Sequence, residues 1–301
     1  MTPNDSPSTL INKFAPFDAA LQEAFNQSIA LALEEDVGSG DRTGLLVPAT
    51  TRVQARVLAR EKAVLCGAPW FEAVMHALDA SIRIDWRHAE GDWVDAEATV
   101  CLIDAPARAL LTAERTALNF MQLLSGVATA TRGYVELVAG TRAAILDTRK
   151  TLPGLRLAQK YAVRVGGGKN QRLALYDGVL IKENHIAAAG GVAQAMAAAL
   201  QYAQGVPIQI EVETLQQLQQ ALEAGAVSIL LDNFSLDTLR QAVAFNRGRA
   251  LLEASGGIDR QTVRAIAETG VDRISIGSFT KDVRATDYSL RILDAAARPT
   301  D

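Results

Sequence analysis

The chain is predicted to be an α/β protein, an incomplete (β/α) barrel preceded by a smaller α+β domain with an antiparallel sheet. Three observations carry this. Past residue 140, six near-continuous apolar runs recur, at 143–148, 178–182, 208–213, 228–232, 250–255 and 273–277. Helical stretches at 215–224, 236–245 and 259–268 fall between the later runs. Before residue 108, by contrast, short segments alternate apolar and polar side chains. Uninterrupted apolar runs suit parallel strands buried on both faces, and alternation suits an antiparallel sheet with one wet face. Six runs are fewer than the eight of a complete barrel, and an open doubly wound sheet is the alternative.

Taken in order, residues 1–17 read as a loosely ordered tail and 18–126 as the N-terminal domain. Residues 127–285 read as the barrel, and 286–301 as a segment packing back on the N-terminal domain. The first element is a helix at 17–35, followed by a Gly/Asp turn at 37–41 and by strands at 53–59, 82–86 and 98–103. A helix at 112–125 links the two regimes, with Gly126 as its stop. Ala117, Leu118, Phe120, Met121 and Leu124 form its core face. Arg115, Asn119 and Gln122, spaced i, i+4 and i+7, share another stripe, which is either a solvated face or a functional one.

Bulk properties exclude several classes. With 301 residues, 49% hydrophobic and 21% charged, the chain has ample core. No apolar run reaches the roughly 18 residues of a membrane span, and the start lacks a charged region followed by an apolar one. A net charge of −4 argues against nucleic-acid binding, although a cleft can still focus positive potential on an anionic ligand. Cys66 and Cys101 lie in apolar surroundings without CxxC pairing, which suits buried thiols in a reducing cytoplasm. The three histidines share no zinc spacing, and Gly168-Lys169 lacks the rest of a P-loop. His185 reads as a structural hydrogen-bonding residue.

The chemistry gathers at the strand ends, where a barrel carries its active site. The successive ends offer Asp147 with Thr148, Arg149 and Lys150, then Lys182 with Glu183, Glu211 with Glu213, Asp232, Glu253 with Ser255, and Gly277 with Ser278. Arg149, Arg172 and Lys182 suit carboxylates, which an arginine fork binds in a bidentate way. Glu211 and Asp232 suit sugar hydroxyls or a hard cation such as Mg²⁺. Ser255-Gly-Gly-Ile258 and Ile276-Gly-Ser-Phe-Thr280 each lie between a strand and a helix, where bare backbone N–H groups can cradle phosphate.

With these residues in place, the chain resembles the quinolinate phosphoribosyltransferase family from about Leu33 to Ile292. The resemblance rests on Glu34-Glu-Asp-Val-Gly-Ser-Gly-Asp41, Glu114-Arg-Thr-Ala-Leu-Asn-Phe120, Asp147-Thr-Arg-Lys-Thr-Leu-Pro-Gly154 and Leu180-Ile-Lys-Glu-Asn-His185. It continues through Glu211-Val-Glu213, Leu231-Asp-Asn-Phe234, Ser255-Gly-Gly257 and Ser275-Ile-Gly-Ser-Phe-Thr-Lys281. It implies an open-faced N-terminal sandwich and a cytoplasmic homodimer. The activity implied is transfer from phosphoribosyl pyrophosphate to quinolinate with loss of CO₂, giving nicotinate mononucleotide in NAD biosynthesis. Thr148, Arg149, Lys150, Gln171, Arg172 and Lys182 correspond to the quinolinate pocket, and Arg115 to an arginine reaching the neighbouring subunit's site. Lys150, Glu211 and Asp232 correspond to the catalytic groups, the acidic pair facing the ribose and Mg²⁺–pyrophosphate. Lys150, Lys182, Ser255, Gly256, Gly257, Ile276, Gly277 and Ser278 complete the phosphoribosyl pyrophosphate site.

One position departs from the family pattern. The family reads Gly-Gly-Gly-x-Asn-His-Arg, and this chain reads Gly166-Gly-Gly-Lys-Asn-Gln171-Arg172. A glutamine facing the substrate carries no charge, and losing a charge-assisted bond costs roughly 1.5–3 kcal/mol, so weaker quinolinate binding is expected. Alternative readings are a Schiff-base lyase using Lys182, a catalytically silent anion-binding relative, and an enzyme that accepts nicotinate. The number of pocket cations favours a dicarboxylate over nicotinate.

Overall fold

The computed structural model describes residues 9–203 and 205–293. They form two units whose division does not follow chain order. The first comprises the chain up to Ala130, Pro153–Gly166 and the part from Val283 onward; the second comprises Thr131–Leu152 and Gly167–Asp282.

The first unit begins with α1 (Ala19–Asp36), capped by the Asp18 carboxylate, which accepts from the Leu21 N–H at 2.8 Å. A 3₁₀ turn follows, and then β1 (Arg52–Ala59), β2 (Ala63–Val64), α2 (Ala68–Leu78), β3 (Arg83–Trp86), β4 (Trp93–Val94) and β5 (Thr99–Pro106). β1 pairs antiparallel with β5, and β5 with β3. β2 and β4 form a separate ribbon. α2 meets the sheet through Phe71 and Trp86, whose rings stand edge to face with centroids 5.8 Å apart.

The helix expected to stop at Gly126 does not stop there. α3 runs unbroken over Ala107–Leu137. Gly126 keeps ordinary helical backbone, and a Cβ on it would strike the Arg284 carbonyl oxygen. This glycine admits a neighbouring chain rather than ending a helix. Residues 9–17 also depart from the expected loose tail. The Glu90 N–H donates to the Ile11 carbonyl, Asn12 Nδ2 donates to the Tyr161 hydroxyl, and Phe14 and Phe17 stack edge-on against the Tyr161 ring. Two phenylalanines with an aromatic cluster to enter leave the water, and the segment carrying them follows. Residues 1–8 lie outside those described.

The second unit opens with β6 (Ala144–Leu146). The next helix, α4 (Arg156–Val165), belongs to the first unit, where it packs beside α1 and adds Tyr161 to Phe17 and Trp70. The boundary expected at 127–285 is interrupted there. The repeat then runs through β7 (Val179–Ile181), α5 (Glu183–Ala189), α6 (Val192–Tyr202), β8 (Ile208–Val212), α7 (Leu215–Glu223), β9 (Ser228–Asp232) and α8 (Leu236–Asn246). It ends with β10 (Leu251–Ser255), α9 (Val263–Ala267), β11 (Arg273–Ser275) and α10 (Ser278–Lys281). The six strands pair in parallel in the order β6-β11-β10-β9-β8-β7. The first strand therefore lies beside the last and the others follow in sequence, which is barrel order and not the reversing order of a doubly wound sheet. β6 and β7 do not pair, so the barrel is open between them. Finally β12 (Tyr288–Ile292) pairs with β1 as the outer strand of the antiparallel sheet; residues 294–301 lie outside those described.

Within the first unit the Glu90 carboxylate is buried. Glu90 accepts from the Gly67 N–H at 2.8 Å, the Ala68 N–H at 3.2 Å and the Tyr161 hydroxyl at 2.9 Å, so it caps α2 and ties it to α4. Burial pushes its pKa from 4.5 up to about 7, against those three bonds, which favour the anion. The folded protein holds this proton to higher pH than the unfolded chain. Stability contributed here is complete below about pH 4.5 and is lost as pH rises through about 7. Unfolding in urea across this window should show stability falling with pH by roughly 3 kcal/mol on this account. Glu90→Gln should flatten that slope whatever it does to absolute stability.

Candidate active site

The C-terminal strand ends of the second unit surround a cavity of about 670 Å³. Every site residue expected from the sequence lines it except Arg115, which lies exposed on α3 in the first unit. Thr148, Arg149 and Lys150 follow β6, Lys182 follows β7, Glu211 and Asp232 lie at the ends of β8 and β9, and Ser255 ends β10. These positions follow from strand alternation, because Glu211 and Gln209 share one face of β8, as Ser255 and Glu253 share one face of β10.

The cationic side is strained electrostatically. Burial lowers the Arg172 pKa, and the like charge of Arg149 lowers it further, with Asp177 opposing. Arg172 donates through Nη1 to the Gly178 carbonyl at 2.9 Å. Arg149 carries a buried Nε without a hydrogen-bond partner. A buried guanidinium N–H left open beside a second guanidinium is a vacancy for an anion's oxygens. Across the cavity, Lys182 Nζ lies 3.2 Å from Glu211 Oε2. Burial raises the Glu211 pKa, Lys182 pulls it down, and Asp232 and Glu183 add to the rise. Two carboxylates from adjacent strands thus face one space.

The glycine turns are specific in what they exclude. Gly256 has φ +97° and a Cβ there would collide with the Asn233 side chain, while the Asn233 N–H donates to the Ser255 carbonyl at 2.9 Å. Asn233 itself sits at φ +56° and donates through Nδ2 to Asp232 at 2.7 Å, which fixes that carboxylate. Gly277 lets the Lys150 and Thr148 side chains pass close over it, and Thr280 Oγ1 holds the Lys150 carbonyl at 2.7 Å. His185 Nδ1 accepts from the Lys182 N–H at 3.0 Å and caps α5, the structural role expected for it.

Sequence reasoning left out of its site several residues that line the cavity, among them Asn233, Glu253, Ser275 and Lys281. Three of these stand inside motifs already singled out, Leu231-Asp-Asn-Phe234 and Ser275 to Lys281, so the signal was present. Glu253 was visible as a charged strand residue without a role. Among the described residues no three or more His, Cys, Asp or Glu side chains gather to hold a metal by themselves.

An open-sided β/α barrel whose rim carries cations, paired carboxylates and glycine turns defines a transferase-type site for small phosphorylated and carboxylated molecules. Comparison with known proteins narrows the class. Residues 41–125 match the N-terminal domain of quinolinate phosphoribosyl transferase, and residues 127–291 match its C-terminal domain. The chain belongs to the quinolinate phosphoribosyl transferase family. It is 42% identical to the nicotinate-nucleotide pyrophosphorylase (carboxylating) of Mycobacterium leprae, over 91% of this chain and 97% of that one. It is 38% identical to quinolinate phosphoribosyltransferase (decarboxylating) 1b of Nicotiana tabacum, over 88% and 81%. The solved nicotinate-nucleotide pyrophosphorylase of Francisella tularensis superimposes with a TM-score of 0.88 at 43% identity, covering 95% of this chain and all of that one.

Gly256→Ala should strain the β10 turn by on the order of 1–3 kcal/mol, because an L side chain is disfavoured at this φ and the Asn233 amide blocks the space. A clearly larger drop in thermal midpoint for Gly256→Ala than for Gly154→Ala, which shares a positive φ of +77° but has open space around it, would isolate the clash with Asn233.

Proposed function

We propose that this protein transfers the phosphoribosyl group of phosphoribosyl pyrophosphate to quinolinate, releasing pyrophosphate and CO₂ and forming nicotinate mononucleotide in NAD biosynthesis. The observation that carries the reading is the open, buried Nε of Arg149 beside Arg172, two guanidiniums converging on one cavity. Such a pair suits a dicarboxylate far better than a monocarboxylate.

In this reading Arg149 and Arg172, with Thr148, Lys150 and Lys182, hold the two carboxylates and aim the pyridine nitrogen at C1 of the ribose. The turns containing Ser255, Gly256 and Gly257 and Ile276, Gly277 and Ser278 offer backbone N–H groups to the 5′-phosphate. The nitrogen lone pair forms the N–C1 bond as the C1–O bond breaks and pyrophosphate departs with its electrons. Glu211 and Asp232 face the positive character that develops on the sugar, and Lys182 opposes the rise that burial causes in the Glu211 pKa. The ring, now cationic at nitrogen, stabilises the electron pair left at C2 when the adjacent carboxylate leaves as CO₂. A proton then replaces it. The chain supplies position and field, with no covalent intermediate required.

Glu211 and Asp232 fit Mg²⁺ as two hard oxygen donors whose shell pyrophosphate oxygens would complete, the usual manner of Mg²⁺ with nucleotide-like substrates. When bound there the ion neutralises charge on the leaving group. Arg115, exposed on α3 and not among the residues lining the cavity at the strand ends, is assigned to the neighbouring site of a homodimer, as the family resemblance implies. Cys66 and Cys101 are buried free thiols whose burial raises their pKa, which suits a reducing cytoplasm.

Quinolinate with phosphoribosyl pyrophosphate and Mg²⁺ should release CO₂ and pyrophosphate one for one, and nicotinate should release neither; equal turnover of nicotinate would sink the dicarboxylate assignment. Arg149→Lys should lower kcat/KM for quinolinate by at least about 100-fold although charge is retained, because the bidentate fork is lost. Steady-state kinetics with a near-normal constant would contradict the role given to Arg149.

A further inference from the structure

Gln171 lines the cavity, yet its side chain turns inward. Its Nε2 donates to Gln209 Oε1 at 2.6 Å and to Glu253 Oε1 at 3.3 Å. Its Oε1 accepts from the Arg172 backbone N–H at 2.7 Å. Gln209 Nε2 in turn donates to Glu253 Oε2 at 2.9 Å. Both oxygens of Glu253, which is completely buried, are therefore met by amide donors, one from each glutamine. An amide has two donor hydrogens and one acceptor oxygen, and here all three groups are engaged within the protein.

We infer that Gln171, Gln209 and Glu253 form one hydrogen-bonded unit that positions Arg172, and that Gln171 serves quinolinate binding through that arginine without touching the substrate. The inference deepens the proposed function and rests on it. Glu253 is the anchor: a buried carboxylate makes stronger bonds to amides than neutral groups do, and it must be satisfied once buried. Gln171 carries the anchorage across the barrel interior to the backbone of residue 172. The guanidinium of Arg172 is held at its other end by the Gly178 carbonyl. An arginine that is both partly desolvated and repelled by Arg149 needs such restraint to stay in place.

An imidazole at position 171 cannot repeat this arrangement. Neutral, it has one donor and one acceptor; protonated, it has two donors and no acceptor for the Arg172 N–H. The glutamine is thus matched to Gln209 and is not merely a histidine that has lost its charge.

Gln209 is buried, and it is absent from the cavity lining. It therefore separates positioning from contact. Kinetics should be measured for Gln171→Ala, Gln209→Leu and their double variant, with KM taken for both substrates. Both single variants should raise KM for quinolinate at least about tenfold, the double variant should be no worse than either, and KM for phosphoribosyl pyrophosphate should stay within about twofold. Gln171→His should raise KM for quinolinate too. If Gln209→Leu binds quinolinate normally while Gln171→Ala does not, Gln171 is a direct ligand and the inference falls. Should Gln209→Leu not fold, Gln209→Met, which keeps the length of the side chain but loses both amide hydrogen bonds, takes its place, and a quinolinate KM unchanged in that folded variant overturns the inference. A wild-type protein that forms no nicotinate mononucleotide removes the proposed function, whereas an active one indifferent to Gln209 removes the inference alone.

Discussion

At the open side of the barrel, beyond β6, a short segment around Lys169 is held against that strand by backbone bonds and by one buried carboxylate. Lys169 bridges to Leu146, its N–H donating to the Ile145 carbonyl at 2.8 Å, and the Asp147 N–H donates to the Lys169 carbonyl at 3.2 Å. Asp147 is fully buried and accepts from Asn170 Nδ2 at 2.6 Å and from the Gln171 N–H at 2.8 Å. A buried carboxylate left without donors would be prohibitive, so the segment is pinned wherever Asp147 goes. Thr148, Arg149 and Lys150 leave one side of this pin, and Gln171 and Arg172 leave the other. The geometry of the cationic side of the cavity depends on it.

That cationic side is unfavourable in the unliganded protein. Two guanidiniums repel, one of them has a buried N–H without a partner, and only the charge of Asp177 opposes this at Arg172. The chain as a whole is acidic, so the positive field is local and produced by placement. Groups held in an arrangement that only an anion relieves are what binding specificity requires, and the rest of the fold must supply the restraint. The Asp147 pin and the Gln171–Gln209–Glu253 unit are the parts of that restraint visible in the second unit.

The first unit shows the same logic applied to packing. α4 leaves the repeat that contains it in sequence, because Tyr161 finds Phe17, Trp70 and the Glu90 carboxylate in the first unit. Glu90 receives two backbone N–H groups at the start of α2 as well, and its own N–H donates to Ile11, so a single buried residue fixes a helix terminus, a helix from elsewhere in the chain and the docked segment at 9–17. Buried polar groups of this kind specify which segments meet, where apolar contacts alone would accept several partners.

By itself the sequence determined the strand repeat, the incomplete barrel and nearly every residue around the cavity. Those properties are local: apolar runs mark buried strands, and a polar residue just past a run stands at a strand end. The family motifs then added roles that spacing alone leaves open. Only the tertiary structure decided that Gly126 is a point of close approach, that 153–166 joins the first unit, that residues 9–17 dock, and that Gln171 turns towards Gln209 and Glu253. Each of these is a relation between positions far apart in the chain, 126 with 284, 161 with 90, and 171 with 209 and 253. Steric approach and hydrogen-bond direction exist only between groups already brought together, so no local pattern in one of them encodes its partner.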